Sequence, residues 1–533
     1  MNRLSCKIEQ PLRPWRAGRL RQVGTMPRVA SAISPISAFS AFSARAGAKA
    51  FAMAGAAVIA ILLPAGCRSL SLPGAAPDLD RLYSRQAQSH SPEHNPVIVI
   101  PGLTGSKLVD GATGRVVWGV FSGDYARPQK PEDARLIALP MREGAPLREL
   151  RDDIHPDGVL ERLRFKVLGV PINLQAYFHI LEALGAGGYR DESLAASGEV
   201  DWGDQHFTCF QFDYDWRRDN VENAQRLHRF IEEKKAYVRE EIMRRFGVDR
   251  PDLKFDVVSH SMGGLLLRYY LRFGDADLPE DGSLPEVTWA GAANIERAVL
   301  IAPPNAGTLE SLVQLVEGKG YGPFATYSPA LLGTFPSGYQ MLPRGRHGMV
   351  SFEDKPIEDL FDPEFWLRMR WGLAAAEADE MITWLLPDES DPAVRRRIAL
   401  DHQRKALERA GRFSAALDQP ADQPTGLDLY LVAGDAVATP RRIVVAPPAL
   451  DGTGAGAAEL AIVETGPGDG KVLRSSALLD ERLGSSWSPY LRSPIDWRTV
   501  MFLPHRHLEL TKNAVFTDNL LFWLLEQPRP IHR

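Results

Sequence analysis

Short, wholly apolar runs alternate with longer stretches of helical periodicity along most of this chain. "VIVI" at 97–100 is the first run, and a glycine-rich turn, "PGLTGS", follows it. A continuous apolar run of this length predicts a strand of a parallel sheet covered on both faces. "INLQAYFHILEALGAGGY" then reads as a helix closed by glycines, and residues 109–170 before it read as irregular. "FTCFQFDYDW" predicts the next strand and "NAQRLHRFIEEKKAYVREEIMRRFG" the next helix, with Leu227, Phe230, Ile231 and Val238 at helical spacing. "FDVVSH" and "LLLRYYLRF" repeat the strand–helix pair around 255–273, and "ERAVLIAPPNAGT" supplies another buried strand. The alternation stops over 305–425, which contains "FDPEFWLRMRW" and a long charged helix around 391–414, and resumes at "LDLYLVAG", "VMFLPHRH" and the closing helix "AVFTDNLLFWLLEQ". This order predicts an α/β fold, a mostly parallel sheet with helices on both faces. The core spans 93–304 and 426–533, and 305–425 is an inserted cap over the strand ends.

Composition adds bounds. The 533 residues are 44% hydrophobic and 24% charged, ample for a large core, and no repeat of about 20–50 residues runs through them. A net charge of −5 implies no basic field for nucleic acid. The first fifty residues carry Arg and Lys with one acid, Glu9, and lead into "AFAMAGAAVIAILLPAGC". A basic flank, an apolar run of about 15 residues and small residues before a cut site describe a bacterial-type secretory signal. "LLPAGC" resembles a lipoprotein cleavage box, so 1–67 is expected as a leader, Cys67 as a lipidated first residue, and the chain as exported and anchored at the cell envelope. Residues 68–92 read as a linker. Cys6, Cys67 and Cys209 are the cysteines, only Cys209 lies in the body, and no intrachain disulfide framework follows.

Chemistry enters at Ser261, which sits where a buried strand turns sharply into a helix. That is the setting of a nucleophile elbow, which lifts the hydroxyl above the sheet edge. A serine needs a base, the base an orienting acid, and the oxyanion needs backbone donors. Gly102 lets the chain turn after the first strand and aims the Leu103 amide at the site; Met262, at a helix N-terminus, supplies the second amide. Two acids compete: Asp435 directly follows a strand, and Asp469 lies in the glycine-rich "TGPGDGKVL". His505 and His507 compete as the base, and His507, leading into the last helix, is favoured. His260 reads as packed because neighbouring side chains at a tight turn diverge, and Cys209 reads as core. The histidines show no metal-ligand spacing, and neither metal nor cofactor is expected. Ser259 stands where such elbows usually carry glycine, a small residue for a crowded turn.

In order along 93–525, "PVIVIPGLTGSKL", "FDYDWR", "SHSMGG", "FPSGYQMLP", "PGDGKVLRSSAL" and "LPHRHLEL" resemble the lecithin:cholesterol acyltransferase family, with its phospholipid:diacylglycerol acyltransferase branch. Asp215, Trp216 and Arg217 carry its most specific segment. The resemblance implies an α/β-hydrolase fold, Asp469 as the acid rather than Asp435, and His507 as the base. Ser259 and Lys471, where threonine is common, depart from the pattern. It further implies lipid O-acyl transfer from a (phospho)lipid ester through an acyl-serine at a membrane surface. A lipase or phospholipase, in which water accepts the acyl group, is the alternative within the chemistry; a non-lipid esterase and an inactive envelope binding protein are others. The cap's Phe365, Trp366 and Trp371 are read either as a lipid-facing surface or as the cap's own core.

Overall fold

The computed structural model describes residues 78–529 except 122–123, 161, 168–169, 176, 322–324, 449–455 and 483–487. The leader, Cys67 and the first part of the expected linker lie outside the described residues. Six strands form the central sheet: β1 (Val97–Ile100), β2 (Cys209–Gln211), β3 (Phe255–His260), β4 (Ile295–Ile301), β5 (Asp428–Gly434) and β6 (Trp497–Leu503). Their order is β6-β5-β4-β3-β1-β2 and every pairing is parallel. This is the expected α/β-hydrolase architecture. The chain leaves β1 toward β2 on one side and returns with β3 on the other, so the crevice at the carboxyl ends of β1 and β3 is a topological switch point, where ligands bind in open α/β sheets.

Alternation of side chains along each strand sorts the core into two layers. Ile98, Ile100, Phe255, Val257, Ala298 and Leu300 face α2 (Asn220–Phe246) and α3 (Met262–Phe273). Val97, Val99, Val258, Val299 and Ile301 face α1 (Phe178–Ala186) and α5 (Ala514–Leu521). Burial on both sides is why these strands read as unbroken apolar runs. The exception in β3 is Asp256, fully buried and paired with Arg529 at 2.9 Å, which ties the C-terminal segment under the strand that carries Ser261.

Five expectations change. Residues 109–170 are not irregular throughout: Ser106–Asp110, Val116–Trp118 and Ile154–Val159 make one antiparallel sheet, and Arg162–Val167 pairs with Val170–Gln175. "IHPDGV" at 154–159, for one, shows neither an apolar run nor a regular apolar–polar alternation, so it carries no strand signal. The helix expected over 172–189 is confined to Phe178–Ala186, and the strand expected over 207–216 to Cys209–Gln211. Within the segment expected as linker, Leu79–Leu82 and Ser84–Gln88 are helical, and Tyr83 between them is buried, its hydroxyl 3.1 Å from the Asp518 carboxylate. One aromatic anchor thus docks a stretch whose polar composition suggested a linker.

The cap, finally, does not close at 425. It includes the long helix α4 (Pro392–Asp418), but its strand Val350–Phe352 pairs in parallel with Val437–Val445, which forms a hairpin with Leu460–Gly468. Ile443 and Val445 belong to the same apolar cluster as Trp366 and Trp371. Phe365, Trp366 and Trp371 are therefore the cap's own core, and the Trp371 indole donates to the Ala458 carbonyl at 2.8 Å across the two segments.

Candidate active site

β3 ends at His260 and α3 begins at Met262, so Ser261 alone makes the turn, with φ 54° and ψ −125°. A non-glycine residue in that region costs about 1–3 kcal/mol and persists where its surroundings enforce it. Here the Ser261 amide donates to the Ile301 carbonyl at 2.8 Å. Neighbours must be small: a Cβ on Gly263 would lie 2.4 Å from the Pro101 carbonyl oxygen, and one on Gly102 2.8 Å from the Ser261 Cβ. Ser259 is fully buried one residue pair inside β3, its hydroxyl 3.4 Å from the Val299 carbonyl, so serine fits where glycine is usual.

The Ser261 Oγ lies 2.9 Å from His507 Nε2, and His507 Nδ1 lies 2.7 Å from Asp469 Oδ2. The pairing fixes the roles: Nδ1–H donates to the carboxylate, leaving Nε2 to accept the serine proton. The other Asp469 oxygen accepts the amides of Lys471 at 2.9 Å and Val472 at 2.8 Å. Burial alone would raise this carboxyl; the His507 ring and the two amides outweigh it and hold it below the usual carboxylate range.

Of the two candidate acids and the two candidate bases, the structure brings one of each together with Ser261. Asp435 follows β5 but makes no bond to His507. Asp469 reaches the end of the same strand after the 437–468 hairpin: a Cβ on Gly434, the last residue of β5, would sit 2.5 Å from the Asp469 Cβ. His505 turns away to Asn513 at 3.3 Å. Cys209 is buried within β2, where burial and Asp191 push its thiol well up.

The two amides expected to face an oxyanion lie beside Ser261. Met262 opens α3, so its N–H has no acceptor within the helix. Leu103 occupies the second position of a turn closed by the Gly105 amide on the Gly102 carbonyl at 3.0 Å, with Thr104 at φ 62°. Leu103, Ser261 and His507 line one cavity of about 100 Å³. Its mouth carries Glu310, Lys319 and Lys471, with Lys319 paired to Glu310 at 2.7 Å. Beyond Leu103, Tyr321 and Met341, which line both, an adjoining cavity of about 40 Å³ is walled by aromatic rings. Trp118 meets Trp216, Tyr321 and Tyr327 edge-on there at 5.5, 5.1 and 5.9 Å. A larger cavity, about 870 Å³ beside α4, does not touch Ser261.

The "YDWR" segment serves this chamber. Trp216 forms part of the aromatic wall, its indole donating to the Ser106 carbonyl at 3.1 Å. Arg217 is wholly buried, pairs with Asp215 at 2.8 Å and Asp152 at 2.9 Å, and donates to the Ile137 carbonyl at 2.9 Å.

Nothing in the sequence marks Tyr177, and His260 reads there only as packed. It is packed, but against the site. The Gly102 amide donates to the Tyr177 hydroxyl at 2.8 Å, that hydroxyl donates to His260 Nδ1 at 3.3 Å, and His260 Nε2–H donates to the His507 carbonyl at 3.2 Å. Burial first, then the neighbouring His507, pull His260 down to about 3, so the ring stays neutral and the tautomer this relay requires persists at neutral pH. Trp118, Tyr321 and Tyr327 are likewise unmarked, since they meet only through tertiary folding. Among the described residues no group of His, Cys, Asp and Glu is arranged to hold a metal ion, and no helix is long and apolar enough to cross a membrane.

Residues 175–362 match the family model described as lecithin:cholesterol acyltransferase. No curated protein matches the chain. Among solved structures, the Tle4–Tli4 complex is similar at 15% identity over 81% of this chain and 98% of that one, with a TM-score of 0.49. EstA from Clostridium botulinum is similar at 15% identity, 84% and 91% coverage and a TM-score of 0.28. Lipase 1 from Pelosinus fermentans is similar at 12% identity, 82% and 99% coverage and a TM-score of 0.27.

Proposed function

We propose that this chain, whose residues 175–362 match the lecithin:cholesterol acyltransferase family model, is a lipid O-acyltransferase working through an acyl-serine. One observation carries the reading: the unbroken line of hydrogen bonds from Ser261 through His507 to Asp469. His507 Nε2 takes the Ser261 proton as Oγ attacks the ester carbonyl carbon. The oxygen that gains the electron pair is met by the Leu103 and Met262 amides, donors that need no reorganisation as charge develops. Asp469 stabilises the imidazolium without taking its proton. The tetrahedral species expels the alcohol, which leaves with the proton from His507, and the acyl group remains on Ser261. An acceptor hydroxyl then gives its proton to His507 and repeats the sequence in reverse.

The aromatic chamber beyond Leu103 suits the first carbons of an acyl chain, and the ester lies between it and the charged mouth. That mouth, with Glu310, Lys319 and Lys471, favours a second reading in which water is the acceptor and the protein is a lipase or phospholipase. A phosphatidylcholine labelled in its acyl chain, offered with and without a sterol or diacylglycerol, separates the two. A new labelled ester supports transfer; free fatty acid alone overturns it in favour of hydrolysis. Failure of a fluorophosphonate probe to label Ser261 overturns both and leaves a binding protein.

The leader sequence supports siting this chemistry at the cell envelope, with Cys67 as the lipid anchor. Incorporation of labelled palmitate that disappears in Cys67→Ser tests the anchor; unchanged incorporation overturns it.

A further inference from the structure

Toward the C-terminal end of α3, away from Ser261 at its start, Arg268 and Arg272 stand one helical turn apart, 4% and 5% exposed. Buried guanidinium groups are normally paired with carboxylates, because an unpaired buried charge is among the costliest things a fold can hold. These two lack such a partner among the described residues. Arg268 donates to the Asn305 side-chain oxygen at 3.2 Å and the Leu417 carbonyl at 3.0 Å, and Arg272 to the Gln419 carbonyl. The acid whose field reaches both is Asp418, and its Oδ2 is taken by Arg344 at 2.9 Å and Arg346 at 2.7 Å. Burial pulls Arg268 down to about 9, the direction expected of an uncompensated cation.

Both arginines line a cavity of about 370 Å³, separate from the Ser261 cavities. Trp289 lines it too, its ring against the Arg272 guanidinium with 5.3 Å from carbon to ring centroid. Two donors there have no acceptor among the described residues: Arg272 Nε and Trp289 Nε1 are both buried without a hydrogen bond. Trp289 is also held at φ 55°, a backbone state a bulky residue seldom adopts, by donating its amide to the Arg272 carbonyl at 2.8 Å. Two buried guanidinium groups without a carboxylate partner, two orphan donors and enforced backbone strain thus coincide at one cavity. Leu429 and Ile495 add apolar wall, and Asp422 and Asp496 stand exposed at the rim, where water screens them.

We propose that this cavity binds a small organic anion, a carboxylate or phosphate head on a short apolar body. Arg272 Nε and Trp289 Nε1 donate to its oxygens, and the two guanidinium groups neutralise its charge. Charge-assisted donors of this kind are the stronger class of hydrogen bond. The cavity far exceeds one inorganic phosphate, hence the apolar body.

The test is thermal unfolding at constant ionic strength with octanoate, octyl phosphate, inorganic phosphate or octanol. Octanoate or octyl phosphate should raise the Tm by about 2 °C or more near saturation, and octanol should not; which of the two acts identifies the head. Arg272→Gln and Trp289→Phe should each weaken that anion by about tenfold or more, by loss of one donor to a charged partner, with ester turnover at Ser261 unchanged. Trp289→Phe keeps an aromatic ring and decides alone if Arg272→Gln does not fold. Anions acting no better than octanol overturn the proposal. So does a shift that survives in Trp289→Phe, which would mean binding elsewhere, the Ser261 cavity included.

Discussion

His260 Nε2 donates to the main-chain carbonyl of His507 at 3.2 Å, and the two rings lie 4.7 Å apart. The residue just before the proposed nucleophile therefore holds the loop that carries the proposed base. Through Tyr177 the same relay reaches the Gly102 amide, so the turn bearing Leu103, the elbow and the His507 loop share one buried network.

This relay makes His260 a positioning residue. His260→Ala is expected to lower kcat by about 10²-fold, the scale of a small misplacement of reacting groups, with KM nearly unchanged. His260→Gln, which retains a donor, should recover part of the loss. Tyr177→Phe leaves His260 Nδ1 and the Gly102 amide without partners and should cost about 1–3 kcal/mol of stability. A loss of stability in His260→Ala with kcat intact would reduce His260 to packing.

Asp469 and Asp435 make a clean contrast. Asp469→Asn keeps the shape but removes the charge that fixes the His507 tautomer, and kcat should fall by about 10⁴-fold. Asp435→Asn should turn over at the wild-type rate. Equal losses in the two variants would contradict the assignment.

That contrast also marks how far the chain could be read without coordinates. The sheet was legible because β1, β3, β4 and β5 are buried on both faces, which writes short apolar runs into the sequence, interrupted in β3 by Asp256 and in β4 by Glu296 and Arg297. The elbow was legible because a serine between such a run and a helix leaves few alternatives. Asp469 was not fixed by position, since a 437–468 hairpin that belongs to the cap's sheet intervenes between β5 and the acid. The resemblance of "PGDGKVLRSSAL" to a lecithin:cholesterol acyltransferase segment pointed to it instead. The cap boundary failed for the same reason: Ile443 and Val445 pack with Trp366 across a long sequence gap, which no local pattern encodes. Tyr177 and the Trp118 chamber are products of tertiary packing and leave no periodic trace.

Acid stability should carry the mark of buried histidine. His402 is fully buried, its Nε2 3.0 Å from the Thr334 carbonyl, and burial pulls it from 6.5 to about 4. Above pH 6.5 neither folded nor unfolded chain protonates it and it adds no pH dependence. Between 6.5 and about 4 the unfolded chain takes up the proton and the folded chain does not, so stability falls with pH. The slope contributed is at most about 1.4 kcal/mol per pH unit. His402→Gln, which can still donate to Thr334, should flatten the fall by that amount in urea titrations across the window. Parallel curves for the two proteins would exclude His402 as a source.

Arg217 tests the "YDWR" segment as structure. Its removal strands Asp215, 1% exposed, in the core. Arg217→Met should therefore cost about 3–5 kcal/mol. Arg217→Lys should recover only part of that, because an ammonium cannot serve both carboxylates and the carbonyls of the 136–138 turn with a planar fork. A Tm within about 2 °C of wild type for the methionine variant would contradict the role.

Gly102 offers the sharpest geometric test of the site. An alanine Cβ there would lie 2.8 Å from the Ser261 Cβ and 3.1 Å from the His260 carbonyl oxygen. Neither neighbour can yield independently: Ser261 is pinned by its amide on Ile301, and the Gly102 amide is itself bound to Tyr177. The strain must move the Leu103 turn or the elbow, and either lengthens the Ser261–His507 bond or misdirects the Leu103 amide. Gly102→Ala should lower kcat by about 10²-fold or more, the scale of one lost oxyanion donor, while the sheet, with its long apolar core, stays folded. Gly185→Ala is the control: it lies in α1, its Cβ would meet nothing within 4 Å, and alanine should stabilise that helix by about 0.5–1 kcal/mol without touching turnover. Wild-type kcat in Gly102→Ala would mean that Leu103 and Ser261 do not share one reaction centre.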